Sequence, residues 1–385
     1  MKSVVFLSKH KYPFGDASSK RNICLSKYFY EKGYDVVFIG MGNTNYKEET
    51  QIDKYKIVSM RKHSSKFIIF RILNHLFIER RILSFAKKKY KETSLWIVDP
   101  KFYKLIRKDK FFKSRKVVYT VVEYYSACNY KYNGLFSKSY RENVFFNEQL
   151  KKEEGSVIAI SSFLKENFKS RNINAVRIPF VIDSTISLSE FDVNKNYQNN
   201  KTFIYCGNPR RKDLLDKMIR GFLLLPEKEY YQCKTIVCGV NAEWLLQYFN
   251  KEEIKKINKV FTFKGYVPYK NLLNIYKEAT FSILLRPSNE RYAMAGFPTK
   301  ITEALEYGVI PITNYTSDLS LYLEDGINSL EVLGDDENAF CDAIKKAINL
   351  NDKTITKLRK NARDLCFKKL DIKHFYNELD SIVND

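Results

Sequence analysis

Short runs of Val, Ile and aromatic residues alternate with longer stretches whose apolar positions recur at three- and four-residue spacing, and this rhythm runs the length of the chain. The short runs predict strands buried on both faces, and the spaced ones predict helices with one apolar side. The first half opens with a strand over 4–7, a polar loop over 8–16, a helix near 17–32 and a strand over 36–39. That order is a βαβ unit. Further strands are predicted over 95–98, 116–122, 156–160 and 175–178. Residues 181–200 are polar, rich in Asn and Ser and without periodicity, which reads as a crossing between domains. The rhythm then restarts, with strands over 202–206, 234–238, 260–263, 281–285 and 309–312, and a last helical stretch from about 336 to the end. Two consecutive α/β domains of similar size follow from this pattern.

The chain of 385 residues is long enough for two such cores, and its 44 % of apolar residues is that of a folded protein. Lys and Arg number 66 against 44 Asp and Glu, a formal charge of +22. The excess points to anionic partners (nucleic acid, phosphorylated ligands or acidic lipid) or to plain lysine-rich usage. No recognisable nucleic-acid-binding module appears, so no nucleic-acid partner is expected. Seven cysteines without a C-x-x-C pair, several inside apolar runs, suit a reducing, cytoplasmic location. The N-terminal apolar run is too short for a signal peptide, and no apolar stretch reaches the roughly 18 residues that span a bilayer. The stretch 66–83, followed by Lys87, Lys88 and Lys89, is apolar and basic at helical spacing. It suits either an anionic membrane surface, hence a peripheral place on the inner face of the membrane, or a domain helix with one buried side.

The chemistry concentrates after the strand over 281–285. Arg286-Pro287-Ser288-Asn289-Glu290-Arg291 leads into Gly296-Phe297-Pro298-Thr299-Lys300 and Glu303-Ala304-Leu305-Glu306-Tyr307-Gly308. Ligands bind at the carboxyl ends of strands in open α/β sheets. Pro298 suits a first helical position, which leaves the amides of Thr299, Lys300 and Ile301 for an anion. Lys300 and Glu303 share a helix face, either as a ligand-binding pair or as an ordinary surface pair.

The spacing of Pro298, Lys300, Glu303, Gly308 and Pro311 resembles the donor-binding element of retaining GT-B glycosyltransferases, the family-4 group that builds bacterial surface polysaccharides. Tyr205 to Asp213 resembles the loop opening that family's donor domain. Phe263-Lys264-Gly265-Tyr266-Val267 resembles its base-contacting segment, and Lys11 to Ala17 its small-residue loop facing the donor phosphates. The segments stand in the family's order. The resemblance implies two Rossmann-like domains facing across a cleft: 1–185 for the acceptor, 186–365 for a nucleotide-sugar donor, and a C-terminal helix over 366–385 packing back on the first domain. It implies that Glu303 holds the ribose hydroxyls, and that Lys212, with Arg210 or Arg211, neutralises the departing diphosphate. Lys300 is then a second diphosphate contact, Gly296 and Phe297 meet the donor sugar, Gly265 and Tyr266 the base, and Gly15 the phosphates. UDP is the implied carrier, the acceptor a glycan or lipid-linked sugar, and neither cofactor nor metal is expected.

Two positions depart from the pattern. Ala295 stands eight before Glu303, where the family often has a second glutamate, so front-face displacement fits better than a carboxylate nucleophile, with Glu290 as a substitute carboxylate. Asn208 replaces the arginine after the loop glycine. In the first half, Glu123 follows a strand and is read as orienting or deprotonating the acceptor hydroxyl, or as capping its loop. His10 reaches the same edge, or is a polar loop residue. A non-catalytic subunit of the same fold and a basic nucleic-acid-binding protein are the rival readings.

Overall fold

The structure, a computed structural model, describes residues 2–13, 15–42, 50–52, 55–61, 68–127, 134, 137–185, 201–209 and 212–384. The chain divides into two compact units, 1–183 with 372–385, and 184–371. The first holds strands β1 (Ser3–Leu7), β2 (Asp35–Gly42), β3 (Thr50–Ile52), β4 (Tyr55–Arg61), β5 (Leu95–Val98), β6 (Lys116–Val121), β7 (Ser156–Ala159) and β8 (Ala175–Arg177). The second holds β9 (Lys201–Cys206), β10 (Cys233–Cys238), β11 (Phe261–Phe263), β12 (Phe281–Leu284), β13 (Ile310–Thr313) and β14 (Leu330–Glu331).

The first sheet runs β3-β4-β2-β1-β5-β6-β7-β8, all parallel except β3 on β4. The second is wholly parallel, in the order β11-β10-β9-β12-β13-β14. Chain order reverses beside β1 in the first sheet and beside β9 in the second. Loops leave in opposite directions at such a point and open a crevice at the carboxyl ends. Each crevice therefore lies between a first strand, β1 or β9, and its out-of-sequence neighbour, β5 or β12.

The central strands are Val- and Ile-rich because both faces are covered. Val4, Val5, Phe6 and the β5 run Leu95–Val98 are buried throughout. In the second unit Phe203 and Phe281 stack across β9 and β12 at 5.2 Å, with Phe222 edge-on to Phe203. The helix Ala17–Glu31 is started by Asp16, whose carboxylate accepts from the Ser19 amide at 2.8 Å. Beyond Asp336 the chain forms separate helices, Glu337–Ile348, Asp352–Lys369 and Tyr376–Asn384, rather than one stretch. Asn351 caps the second of them afresh. The chain returns to the first unit after Asp371, where Ile372 donates to the Ile182 carbonyl at 2.9 Å, several residues beyond the expected break at 366. The last helix packs on Ala17–Glu31: the Tyr28 hydroxyl donates to Asp380 at 2.6 Å, and Leu379 and Ile382 join the core of Ile23 and Tyr28.

The sequence pattern passed over β3, β4 and β14. Lys56, Ser59 and Arg61 interrupt β4, and β14 is two residues long, so neither gives a continuous apolar run. Residues 66–67 and most of the expected crossing lie outside the described residues. Ile68–Lys89 is one helix, exposed at Lys88 and Lys89. No described helix is long and apolar enough to cross a membrane.

The first unit also contains a buried ion pair. Lys27 and Asp183, 7 % and 2 % exposed, join the helix Ala17–Glu31 to the end of the unit's chain. Removing one partner leaves a buried charge uncompensated. Asp183→Ala is expected to cost about 3–5 kcal/mol in denaturant unfolding of the full chain, and Lys27→Met with Asp183→Leu together much less.

Candidate active site

In the second unit the crevice beside β9 is organised by one carboxylate. Asp213, 2 % exposed, lies in the loop after β9. Its Oδ1 accepts from Arg286 Nε at 3.1 Å, and its Oδ2 from Tyr205 OH at 2.7 Å and from Lys300 Nζ. Lys300 also donates to Tyr205 OH at 3.2 Å and lies over that ring. Burial alone would raise the Asp213 carboxyl, but Lys300 and Arg286 hold it at about 2. Burial pulls the Lys300 amine down against the opposing pull of Asp213. The loop and strand ends are also tied through the backbone, with Leu214 N–H donating to Leu285 O at 2.8 Å.

Arg286 is fixed from behind. Its N–H donates to Asn314 Oδ1 at 3.1 Å, and its carbonyl accepts from Asn314 Nδ2 at 2.6 Å. Gly207 closes β9 at φ 141°, and a Cβ there would stand 2.4 Å from Lys300 Cε. A side chain at this positive φ is strained and would push the Lys300 amine away from its place beside Asp213.

The helix start differs in detail from the sequence expectation. Pro298 is the residue before the helix Thr299–Glu306, not its first turn, and the Ile301 amide donates to the Pro298 carbonyl at 3.1 Å. The amides of Thr299 and Lys300 meet no acceptor among the described residues. The Gly296 amide is spent on Tyr292 O at 3.0 Å, whereas that of Phe297 has no acceptor among the described residues. The Phe297 ring is buried against Tyr322. Glu303 is half-buried on the helix. Burial, and after it Cys238 for Cys206 and Cys206 for Tyr276, lift these two groups well above their ordinary ranges, and the Glu303 charge adds a smaller push to each. Lys212 adjoins Asp213, with its carbonyl accepting from Tyr292 OH at 3.2 Å. Arg210 and Arg211 lie outside the described residues. Gly265 takes φ 58° against Asn241, and Tyr266 after it is 88 % exposed. Ala295 is buried, and Glu290 precedes the short helix Arg291–Ala295.

The first unit repeats the arrangement with other groups. His10, in the loop after β1, bridges Asp16 (Nδ1 to Oδ2, 2.8 Å) and Asp99 beyond β5 (Nε2 to Oδ2, 3.3 Å). Burial would lower the imidazole, but hydrogen bonds to the two carboxylates raise it to about 9. Asp99 sits well below the usual carboxylate range: burial opposes this, and Lys101 and His10 outweigh it. Gly15, exposed, donates to Lys11 O at 2.9 Å and Ser19 Oγ at 3.0 Å. Glu123 follows β6; its carboxylate accepts from Tyr125 OH, its carbonyl from Asn143 Nδ2 at 2.9 Å, and its charge reaches Lys101.

Arg286 and Asp213 fall within segments quoted from the sequence but were given no role there, and Asn314 and Asp99 were not singled out. A charged residue ending a buried strand (Leu285-Arg286, Val98-Asp99) is the signal that marks two of them. Their partners lie tens of residues away and meet only through strand order.

The two-sheet fold is that of the GT-B glycosyltransferases. Residues 188–365 match the family model described as "Glycosyl transferases group 1". Among solved structures, the chain is similar to Anabaena HepE in complex with UDP and glucose, at 14 % identity and TM-score 0.68 over 100 % of both chains. It is also similar to sucrose-phosphate synthase from Thermosynechococcus elongatus, at 12 % identity and TM-score 0.74 over 100 % of this chain and 98 % of that one. A mutant of S. aureus TarM in complex with Fondaparinux, alpha-GlcNAc-glycerol and UDP gives 12 % identity and TM-score 0.70 over 100 % of both. No curated protein sequence matches the chain.

The His10 bridge fixes a pH window. Its folded pKa of about 9 lies above the ordinary value of 6.5, so its stabilisation is complete below about 6.5 and is lost as pH rises through about 9. At the other end, the lowered Asp99 loses its share as pH falls below the ordinary carboxylate range. The stability difference between wild type and His10→Ala, in denaturant titrations from pH 5 to 10, is expected to be largest near pH 5–6. Its order is about 3 kcal/mol, and it should shrink toward pH 10.

Proposed function

We propose that the chain transfers a sugar from a UDP-sugar to a glycan or lipid-linked acceptor, with retention, in the assembly of capsule, lipopolysaccharide or exopolysaccharide. One observation carries this reading. The crevice beside β9 gathers cations, a helix start and open amides within the residues that match the group 1 model. Transfer concentrates negative charge on the departing diphosphate, and fixed cations stabilise that charge most. HepE and TarM, whose structures hold UDP, support UDP as the carrier.

In this reading Lys212, with Arg210 and Arg211 beside it in sequence, meets the leaving diphosphate, and Lys300 contacts it from the helix start. Glu303 holds the ribose hydroxyls, Gly265 and Tyr266 border the base, and Gly296 and Phe297 meet the donor sugar through the open Phe297 amide. Gly15 lines the phosphate-facing loop of the first unit. Glu123 orients or deprotonates the acceptor hydroxyl. Side-chain cations supply the positive charge, so the reaction requires no metal. The buried Ala295 supports front-face displacement, in which the leaving phosphate assists the acceptor. Most of the excess positive charge lies in the first unit, which supports a peripheral place on the inner, anionic face of the cytoplasmic membrane.

Calorimetric titration of wild type and Glu303→Ala with UDP, GDP, ADP and CMP tests the reading. Wild type is expected to bind UDP selectively in the micromolar range, and the variant at least about tenfold more weakly, since hydrogen bonds to a charged group are lost. No nucleotide binding at all would remove the donor-site reading.

A further inference from the structure

The crevice beside β9 contains a cation whose charge its neighbours do not use up. Lys300 is paired with Asp213 and Tyr205, so its charge is largely balanced inside the protein. Asp213 accepts from three donors and balances one positive charge, yet two cations contact it. The second, Arg286, spends only Nε on Asp213. Its Nη1 and Nη2 have no partner among the described residues, although the side chain is only 12 % exposed. The backbone of Arg286 is clamped on both sides by Asn314. The result is a guanidinium fixed at its root and at Nε, with its terminal fork uncommitted, at the carboxyl end of β12.

We propose that Arg286 is a further diphosphate-binding residue of this site: held by Asp213 and Asn314, it offers its paired Nη donors to the nucleoside diphosphate, beside a β9 loop that carries Asn208 directly after its glycine. The inference rests on the donor reading above. A planar fork suits two phosphate oxygens at once, and a pre-positioned one loses little side-chain entropy on binding. Asp213 acts here as a positioning residue: it fixes the plane of the guanidinium while leaving the cluster of Asp213, Lys300 and Arg286 with net charge of one positive unit.

The test compares UDP and uridine on the full chain, UDP by calorimetry and uridine by ligand-observed NMR, for wild type, Arg286→Gln and Arg286→Lys. Arg286→Gln is expected to weaken UDP roughly ten- to hundredfold, the loss of one or two charge-assisted hydrogen bonds, and to leave uridine unchanged. Arg286→Lys should fall between, because it keeps the charge and loses the fork. Thermal melts of all three confirm that the fold is retained. Unchanged UDP affinity in Arg286→Gln overturns the inference while wild-type UDP binding leaves the donor reading standing. An equal fall for UDP and uridine also overturns it, since that marks general damage to the site. Wild type that binds no nucleotide overturns both.

Discussion

A buried carboxylate between two cations is the constraint on which the second unit's site depends. Asp213 is buried away from solvent, and an uncompensated charge there is costly. Lys300 and Arg286 meet that demand from a helix and a strand end that approach the β9 loop only because β12 lies beside β9. The need to satisfy one acid thus fixes the height of Lys300 on its helix, the plane of Arg286 and the glycine at position 207. What remains after Asp213 is satisfied is positive charge at a helix start, which is the arrangement an anionic leaving group requires.

The first unit solves the same problem at its own crevice with the roles shifted. There the acids come from the strand end and the helix cap, Asp99 and Asp16, and the cations are the His10 imidazolium from the β1 loop and Lys101 beside Asp99. Two carboxylates on one histidine keep it protonated well above neutrality. A histidine held in this way is a fixed positive group over the neutral range, poorly suited to taking a proton. The proposed reaction accordingly gives the acceptor hydroxyl to Glu123 beyond β6 and not to His10.

Much of this was legible in the sequence, and for identifiable reasons. Strands such as Leu95–Val98 and Lys201–Cys206 are buried on both faces, so their Val, Ile and aromatic residues form continuous runs that stand out from a lysine-rich background. Lys300 and Glu303 lie on one short helix with Pro298 directly before it, and the three could be read together as a local pattern. The Asp213–Arg286 contact could not, because it depends on β12 lying next to β9, and strand order leaves no trace in local periodicity. The same holds for His10 and Asp99 across β1 and β5. The start of the helix at Thr299 moved by one residue for a simpler reason: Pro298 takes an extended conformation, and its carbonyl captures the Ile301 amide.

The central claim is that Asp213 holds Lys300 in place by a mutual, buried interaction. A double-mutant cycle on unfolding free energy tests it most directly, with Asp213→Asn, Lys300→Met and the pair measured by denaturant titration of the full chain. The account predicts that Asp213→Asn alone destabilises by about 3 kcal/mol or more, because it leaves cations without their acid. It also predicts that the double variant is destabilised by clearly less than the sum of the two single changes. Strictly additive losses would show that the two side chains do not depend on each other, and would contradict the account.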